Sequence, residues 1–205
     1  MTNRTLVKIC GITRTEDALL AAELGAAYVG FIFAPSRRRI SPEDASAIIS
    51  KLPPSVTPVG VFVNAERNGI MDVTWRSGIR AVQLHGEESP EFCAGFPGIE
   101  VLKAFRVHAD FDAGLLETYG CDGFVLDAWH PERRGGTGET FDWSLAVAAA
   151  DAHRVLLAGG LMPENVGEAI NHVKPYGVDL SSGIESAPGI KDHVKMRALF
   201  AAIGE

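Results

Sequence analysis

The chain has 205 residues, a formal net charge of −7, 46% hydrophobic residues and 22% charged residues. A chain of this length buries one sizeable core, so we expect a single domain over residues 1–205 without a long disordered tail. The chain is acidic overall and has no run of basic residues of the kind that binds nucleic acid. It also shows no apolar stretch suited to a signal peptide or a membrane span. We therefore expect a cytoplasmic protein that binds neither nucleic acid nor membrane.

Short apolar runs alternate with longer amphipathic segments along the whole chain, which is typical of repeated β/α units. Helices are predicted to begin near Thr15 and at the Ser-Pro or Met-Pro pairs that start at Ser41, Ser89 and Met162, and Gly25 is predicted to end the first helix. The predicted strands are Leu6–Cys10, Tyr28–Phe33, Val59–Val63, Ala81–Leu84, Val101–Phe105, Gly123–Asp127, Val155–Ala158 and Gly177–Leu180.

Eight consecutive units without a break in composition predict a fold of the α/β class, a closed (β/α)₈ TIM barrel rather than an open doubly wound sheet. No dinucleotide fingerprint follows the first strand, and the glycine cluster at residues 135–138 has the wrong spacing for one. The three cysteines and six histidines show no metal-ligand spacing. We expect neither a cofactor nor a metal.

Active sites of such barrels lie at the carboxyl ends of the strands, where small and hydroxylated residues follow strands seven and eight. Small residues let backbone N–H groups approach an anion, and serine hydroxyls add donors. A phosphate site with a short extra helical turn over residues 183–187 is the prediction; tight turns alone are the alternative. The residues concerned are Gly159, Gly160, Asp179, Ser181, Ser182 and Gly183.

Cys10 and Asp127 end the first and sixth predicted strands, and each has a structural and a catalytic explanation. Cys10 is either a packed core thiol or a base whose thiolate is favoured by Lys8 or Arg106. Asp127 is either a solvated strand end or an acid that a low-dielectric site keeps protonated. A pair in which one group is deprotonated while the other holds its proton is typical of acid–base catalysis.

Arginines 37 to 39 follow the second strand, and a guanidinium there is suited to clamping a carboxylate in bidentate fashion. At least two of the three are expected to be solvated. His85 follows the fourth strand and is assigned a supporting role in substrate binding rather than proton transfer. A small phosphorylated substrate that also carries a carboxylate would span the mouth from strands seven and eight to strand two.

Residues 7–13 (VKICGIT), 59–64 (VGVFVN) and 83–87 (QLHGE) together resemble the signatures of the phosphoribosylanthranilate isomerase family. The motifs at residues 135–138, 157–166 and 179–185 follow in the family's order, so the resemblance covers essentially the whole chain. It implies an aldose–ketose isomerase of tryptophan biosynthesis that needs no cofactor and is a monomer or a homodimer.

The resemblance also implies roles for the strand-end residues. Asp127 would protonate the ribose ring oxygen of N-(5-phosphoribosyl)anthranilate, and Cys10 would remove the C2′ proton of the resulting iminium, an Amadori rearrangement. The family's carboxylate-binding arginine corresponds best to Arg38, although Arg37 and Arg39 adjoin it.

Two kinds of rival stay open. Another phosphate-handling barrel, such as indole-glycerol-phosphate synthase or the two-aspartate isomerase of histidine biosynthesis, would lack Cys10 or need a longer amino-terminal extension. A barrel that only binds or scaffolds would not require both Cys10 and Asp127.

Overall fold

The computed structural model describes residues 5–128 and 142–204. In these ranges the strands are β1 Leu6–Cys10, β2 Tyr28–Ile32, β3 Thr57–Phe62, β4 Ala81–Leu84, β5 Glu100–Val107, β6 Gly123–Ala128, β7 Val155–Leu157 and β8 Gly177–Leu180. Each pairs in parallel with its neighbour in sequence, and β8 pairs with β1, so the sheet closes into an eight-stranded barrel. The predicted TIM barrel is confirmed, with strand bounds that differ by at most two residues.

The helices lie outside the barrel and are α1 Thr15–Leu24, α2 Pro42–Ile49, α3 Arg67–Ser77, α4 Pro90–Cys93, α5 Ser144–Ala152, α6 Val166–Val173 and α7 His193–Gly204. Ser41 and Ser89 cap α2 and α4 by accepting hydrogen bonds from the N–H groups of Asp44 and Phe92. Gly25, at φ 97°, ends α1 as predicted.

Two sequence expectations need correction. The segment between β5 and β6 forms a 3₁₀ helix, Ala113–Thr118, rather than an α-helix. The sixth helix begins at Val166 and not at Met162, because the Asn165 side chain accepts a hydrogen bond from the Met162 N–H and holds the preceding residues in a turn. The prediction of one domain for residues 1–205 stays a prediction.

The apolar core has two layers. The larger one fills the space between the barrel and its helices. The smaller one fills the barrel interior with side chains that alternate along the strands. Its members are Tyr28, Val59, Ala81, Leu102, Ala104, Val125, Leu156 and Ala158.

Polar side chains replace this packing toward the carboxyl ends of the strands. Lys8 and Asp179 are register partners on β1 and β8, and their side chains form a buried ion pair at 2.7 Å. Cys10 follows two residues after Lys8 on the same side of β1. The barrel therefore has an apolar floor and a charged layer directly beneath its mouth.

Candidate active site

A cavity of about 290 Å³ opens at the carboxyl ends of the strands. Every residue that the sequence singled out for catalysis or substrate binding lines it. These residues come from the ends of six different strands: Cys10, Arg38, His85, Asp127, Gly159, Gly160, Asp179, Ser181, Ser182 and Gly183. The remaining wall is largely apolar and includes Ile32, Val61, Val63 and Leu161.

Cys10 is 7% exposed and is surrounded by charged groups rather than by apolar packing alone. Burial raises the pKa of its thiol, and Asp179 acts in the same direction, whereas Lys8 and Lys191 favour the thiolate. The net result is a pKa above the ordinary thiol value. Lys8 thus acts in the predicted direction, but desolvation outweighs it, so the thiol is largely protonated in this structure at neutral pH.

The Asp127 carboxyl lies opposite the β1 side of the barrel, on β6, and is 6% exposed. Its Oδ2 is 3.4 Å from Nε2 of His85, but this contact is too poorly aligned to be a hydrogen bond. The Gln83 amide nitrogen lies 2.8 Å from Nδ1 of His85, which leaves Nε2 on the side of Asp127. His85 therefore lies beside the carboxyl, as a supporting residue would.

The loops after β7 and β8 meet at one end of the cavity. Gly159 and Gly160 both have positive φ, 82° and 64°, which suits glycine. A Cβ on Gly183 would lie 2.0 Å from the carbonyl oxygen of Leu161, so only glycine lets these loops approach so closely. The predicted extra turn is present but lies earlier, at Ser182–Ile184.

Residues Glu185–Ala187 of the predicted turn instead form strand β9, which pairs antiparallel with β10, Ile190–Lys191. Glu185, the first residue of β9, faces into the protein, where it is 8% exposed.

Of the three adjacent arginines, only Arg38 lines the cavity, whereas Arg37 and Arg39 are exposed. Its guanidinium forms a bidentate pair with Glu185, with Nε–Oε1 at 2.9 Å and Nη2–Oε2 at 2.7 Å. The aliphatic part of Arg38 crosses Gly11, where an added Cβ would lie 2.7 Å from Arg38 Cδ.

Sequence reasoning missed three buried charged residues around the site. Glu88 accepts hydrogen bonds from the N–H groups of Asn64 and Gly86 and pairs with Lys103 at 3.1 Å, which fixes the loop that carries His85. Burial disfavours the charged Glu88, but these donors outweigh it and hold its pKa below the ordinary value.

Lys191 and Glu185 were missed because neither belongs to a strand end of the barrel. Both are brought to the site by the β9–β10 ribbon, a feature without a distinct sequence pattern. A buried Lys-Glu pair separated by six residues gives no signal in a sequence until the turn between them is known.

The glycine cluster at 135–138, which is also one of the family motifs, lies outside the described residues. In the described ranges no three His, Cys, Asp or Glu side chains lie close enough to ligate a metal ion. No helix in the same ranges combines the length and apolar character needed to cross a membrane.

The fold and the site together define a (β/α)₈-barrel enzyme whose cavity holds a thiol, a carboxyl and a set of closely approaching loops. The family model described as N-(5′-phosphoribosyl)anthranilate (PRA) isomerase matches residues 7–202. The chain belongs to this family, and its activity is the isomerisation of N-(5′-phosphoribosyl)anthranilate in tryptophan biosynthesis, as the sequence predicted.

Individual relatives agree with the family assignment. An N-(5′-phosphoribosyl)anthranilate isomerase of Pelobacter propionicus is 50% identical over 192 residues, covering 93% of this chain and 91% of the relative. The crystal structure of the phosphoribosyl anthranilate isomerase from Thermus thermophilus is 42% identical, with a TM-score of 0.91 and 98% coverage of both chains.

A further structure is that of a phosphoribosyl anthranilate isomerase in complex with reduced 1-(o-carboxyphenylamino)-1-deoxyribulose 5-phosphate. It is 44% identical to this chain, with a TM-score of 0.85 and 98% coverage of both chains.

Proposed function

We propose that Asp127 is the general acid and Cys10 the general base of this isomerisation, with phosphate held at β7 and β8 and carboxylate at Arg38. One observation carries the proposal: ten residues predicted from strand ends line a single cavity, with the thiol and the carboxyl on strands that are not neighbours. A small substrate bound between β1 and β6 can therefore be reached from two sides.

The order of the strands indicates how the substrate extends across the cavity, from the phosphate site to Arg38. β1 is hydrogen-bonded to β8 on one side and to β2 on the other. A ligand whose phosphate lies in the loops after β7 and β8 and whose carboxylate reaches Arg38 must pass over the end of β1. Its central carbons then lie beside Cys10, and its aromatic ring packs against Ile32, Val61 and Val63.

In the proposed mechanism acid catalysis precedes base catalysis. Asp127 first gives a proton to the ribose ring oxygen, the C1′–O bond breaks, and the nitrogen lone pair forms an iminium. The positive charge of this iminium acidifies the C2′ hydrogen and stabilises a thiolate nearby, offsetting the burial that disfavours it. Cys10 then takes the C2′ proton, giving an enolamine that tautomerises to the ketone.

Substitution of each residue tests the roles. In Cys10→Ser and Asp127→Asn, we expect kcat/KM, measured from the loss of substrate fluorescence, to fall by roughly 10²- to 10⁴-fold, the usual contribution of one proton transfer. Both proteins should still bind reduced 1-(o-carboxyphenylamino)-1-deoxyribulose 5-phosphate. Because the two residues act in one sequence, the double variant should lose less than the product of the single losses.

Cys121→Ser and Asp151→Asn are matched controls, since neither residue lines the cavity. They should retain normal activity. Full activity of Asp127→Asn would refute the acid assignment, and full activity of Cys10→Ser would refute the base assignment. Growth of a tryptophan auxotroph that lacks this isomerase tests the reaction independently of the roles.

A further inference from the structure

The carboxylate clamp is itself held by buried charges that do not line the cavity. Arg38 uses Nε and Nη2 to bind Glu185, which lies behind it and is 8% exposed. A guanidinium has five N–H donors, so this pair leaves Nη1 and the second hydrogen of Nη2 for another acceptor. In the described part of the chain, Nη1 of Arg38 has no hydrogen-bond partner.

Glu185 is held in turn by Lys191, whose Nζ donates to Oε1 over 2.9 Å. The same ammonium donates to the carbonyl oxygens of Cys10, at 2.6 Å, and Ser181, at 3.2 Å. Its three donors therefore join the backbone of the proposed base, the loop after β8 and the carboxylate behind the clamp. Lys191 is 3% exposed, so water does not substitute for these partners.

The ribbon that carries both residues is hydrogen-bonded to α1 and to the loop after β1. The Lys191 N–H donates to Oδ2 of the fully buried Asp17 on α1, and the Thr13 hydroxyl donates to the carbonyl oxygen of Gly189. Gly189 N–H also donates to Oε1 of Glu185. The positions of Glu185 and Lys191 are thus set by the fold and do not depend on a bound ligand.

The charges of this network do not cancel. Arg38 and Lys191 contribute two positive charges and Glu185 one negative charge, which leaves one net positive charge beside the cavity. Burial alone would raise the pKa of Glu185, but Arg38 and Lys191 outweigh it, so Glu185 stays ionised. Burial lowers the pKa of Lys191, while Glu185 favours its charged form. A carboxylate bound in the cavity would offset the remaining positive charge, because an uncompensated buried charge is costly.

We propose that Glu185 and Lys191 are positioning residues that orient the unpaired N–H groups of Arg38 toward the cavity. Together the three residues leave one net positive charge there for the substrate carboxylate and the Cys10 thiolate. The inference rests on the proposed function of Arg38 and Cys10. It assigns to the ribbon β9–β10 a part in substrate specificity: a ligand with a carboxylate is favoured over one that carries the phosphate alone.

The charges around Cys10 predict that two variants shift the titration of its thiol in opposite directions. Lys191→Met removes a positive charge and Glu185→Gln removes a negative one, while the other charged groups facing the thiol are unchanged. Those groups come from β1, β8, β6 and the loops after β2 and β4: Lys8, Asp179, Asp127, Arg38 and His85. A merely structural role would change both variants in the same direction.

The test measures the pH dependence of Cys10 alkylation by iodoacetamide, followed by mass spectrometry of the Cys10 peptide, together with steady-state kinetics. We expect the titration of Cys10 to move to higher pH in Lys191→Met and to lower pH in Glu185→Gln, each with at least a ~3-fold change in alkylation rate at fixed pH. Lys191→Arg keeps the charge and should stay near the wild type.

The same variants also test the binding of the carboxylate. Lys191→Met should raise the Kd of the reduced product analogue, which carries the carboxylate, by about tenfold more than the Kd of ribose 5-phosphate, which does not. Glu185→Gln should also weaken binding of the analogue more than binding of ribose 5-phosphate, because Arg38 keeps its charge and loses its orientation.

Equal shifts in one direction, or no shift, would overturn the inference. If Lys191→Met fails to fold, Glu185→Gln and Lys191→Arg still decide the outcome, because a titration that does not move to lower pH in Glu185→Gln contradicts the charge argument. Alkylation does not depend on the reaction, so a failure of this inference differs from a failure of the proposed function, which Cys10→Ser and Asp127→Asn report.

Discussion

Gly30 on β2 gives the sharpest test of the proposed base, because its missing side chain makes room for the thiol. Gly30 and Cys10 are register partners on adjacent strands. A Cβ added at Gly30 would lie 2.8 Å from Sγ of Cys10, and 3.2 Å from its Cα. Non-bonded heavy atoms need about 3.5–4.0 Å, so Gly30→Ala displaces the sulfur by about 0.7–1.2 Å.

A displacement of this size is large for a proton transfer. A misplacement of about 1 Å lowers rates about 10²-fold, so we expect kcat/KM of Gly30→Ala to fall roughly 10- to 100-fold. Overpacking should also cost about 1–3 kcal/mol of unfolding free energy, which leaves the protein folded at 25 °C. The backbone φ of Gly30 is compatible with alanine, so the loss arises from the contact and not from backbone strain.

The assay is the loss of substrate fluorescence at fixed pH, combined with inhibition by inorganic phosphate. Phosphate inhibition should change less than kcat/KM, because β1 separates Gly30 from the loops after β7 and β8. Gly69→Ala on α3 is the matched control, since an added Cβ there meets open space. Wild-type kcat/KM in Gly30→Ala, with the sulfur displaced in its crystal structure, would refute the role of Cys10 as the base.

Three further predictions concern other parts of the site. In Gly183→Ala the new Cβ meets the Leu161 carbonyl at 2.0 Å and forces the two loops apart, so the inhibition constant of inorganic phosphate should rise about 10- to 100-fold, equivalent to one lost charged hydrogen bond. Glu88→Gln leaves the Lys103 ammonium buried without a counter-ion and should lower the unfolding free energy by about 3 kcal/mol, or the Tm by about 6–12 °C, in thermal unfolding at pH 7. The kcat/KM of the wild type should rise with pH through the ionisation of Cys10, with a midpoint above the ordinary thiol range because burial raises its pKa, in a pH–rate profile.

The sign of the Glu88 effect provides its own control. The pKa of Glu88 is depressed in the folded protein, so its contribution to stability is present above the unfolded-state pKa and is lost as the pH falls through the folded-state pKa. Wild type and Glu88→Gln should therefore converge in stability at acid pH, and an unchanged difference there would contradict the ion-pair explanation.

Unaltered phosphate inhibition in Gly183→Ala would exclude these loops as the phosphate site. A pH–rate midpoint below the ordinary thiol range would mean that Lys8 and Lys191 outweigh burial at Cys10.

The barrel itself was predictable because each strand is a short apolar run and some of the helices, such as α2 and α4, have a local start signal. Those signals depend on neighbours in sequence, so the strand ends, and with them Cys10 and Asp127, were located to within two residues. The 3₁₀ helix Ala113–Thr118 was not predicted, because the repeated β/α pattern leads one to expect an α-helix between β5 and β6.

The kind of fold, the positions of the reactive side chains at strand ends and the family resemblance all follow from the amino-acid sequence alone. Only the folded structure shows that Arg38 is the arginine that reaches the cavity and that Glu185 and Lys191 hold it there. It also shows that burial has a larger effect than Lys8 on the pKa of the Cys10 thiol. The two kinds of interaction differ in the sequence separation over which they act. Hydrophobic period and helix caps act over a few residues, whereas the ion pairs of Lys191 and Glu88 depend on desolvation and on contacts that exist only once the barrel has closed.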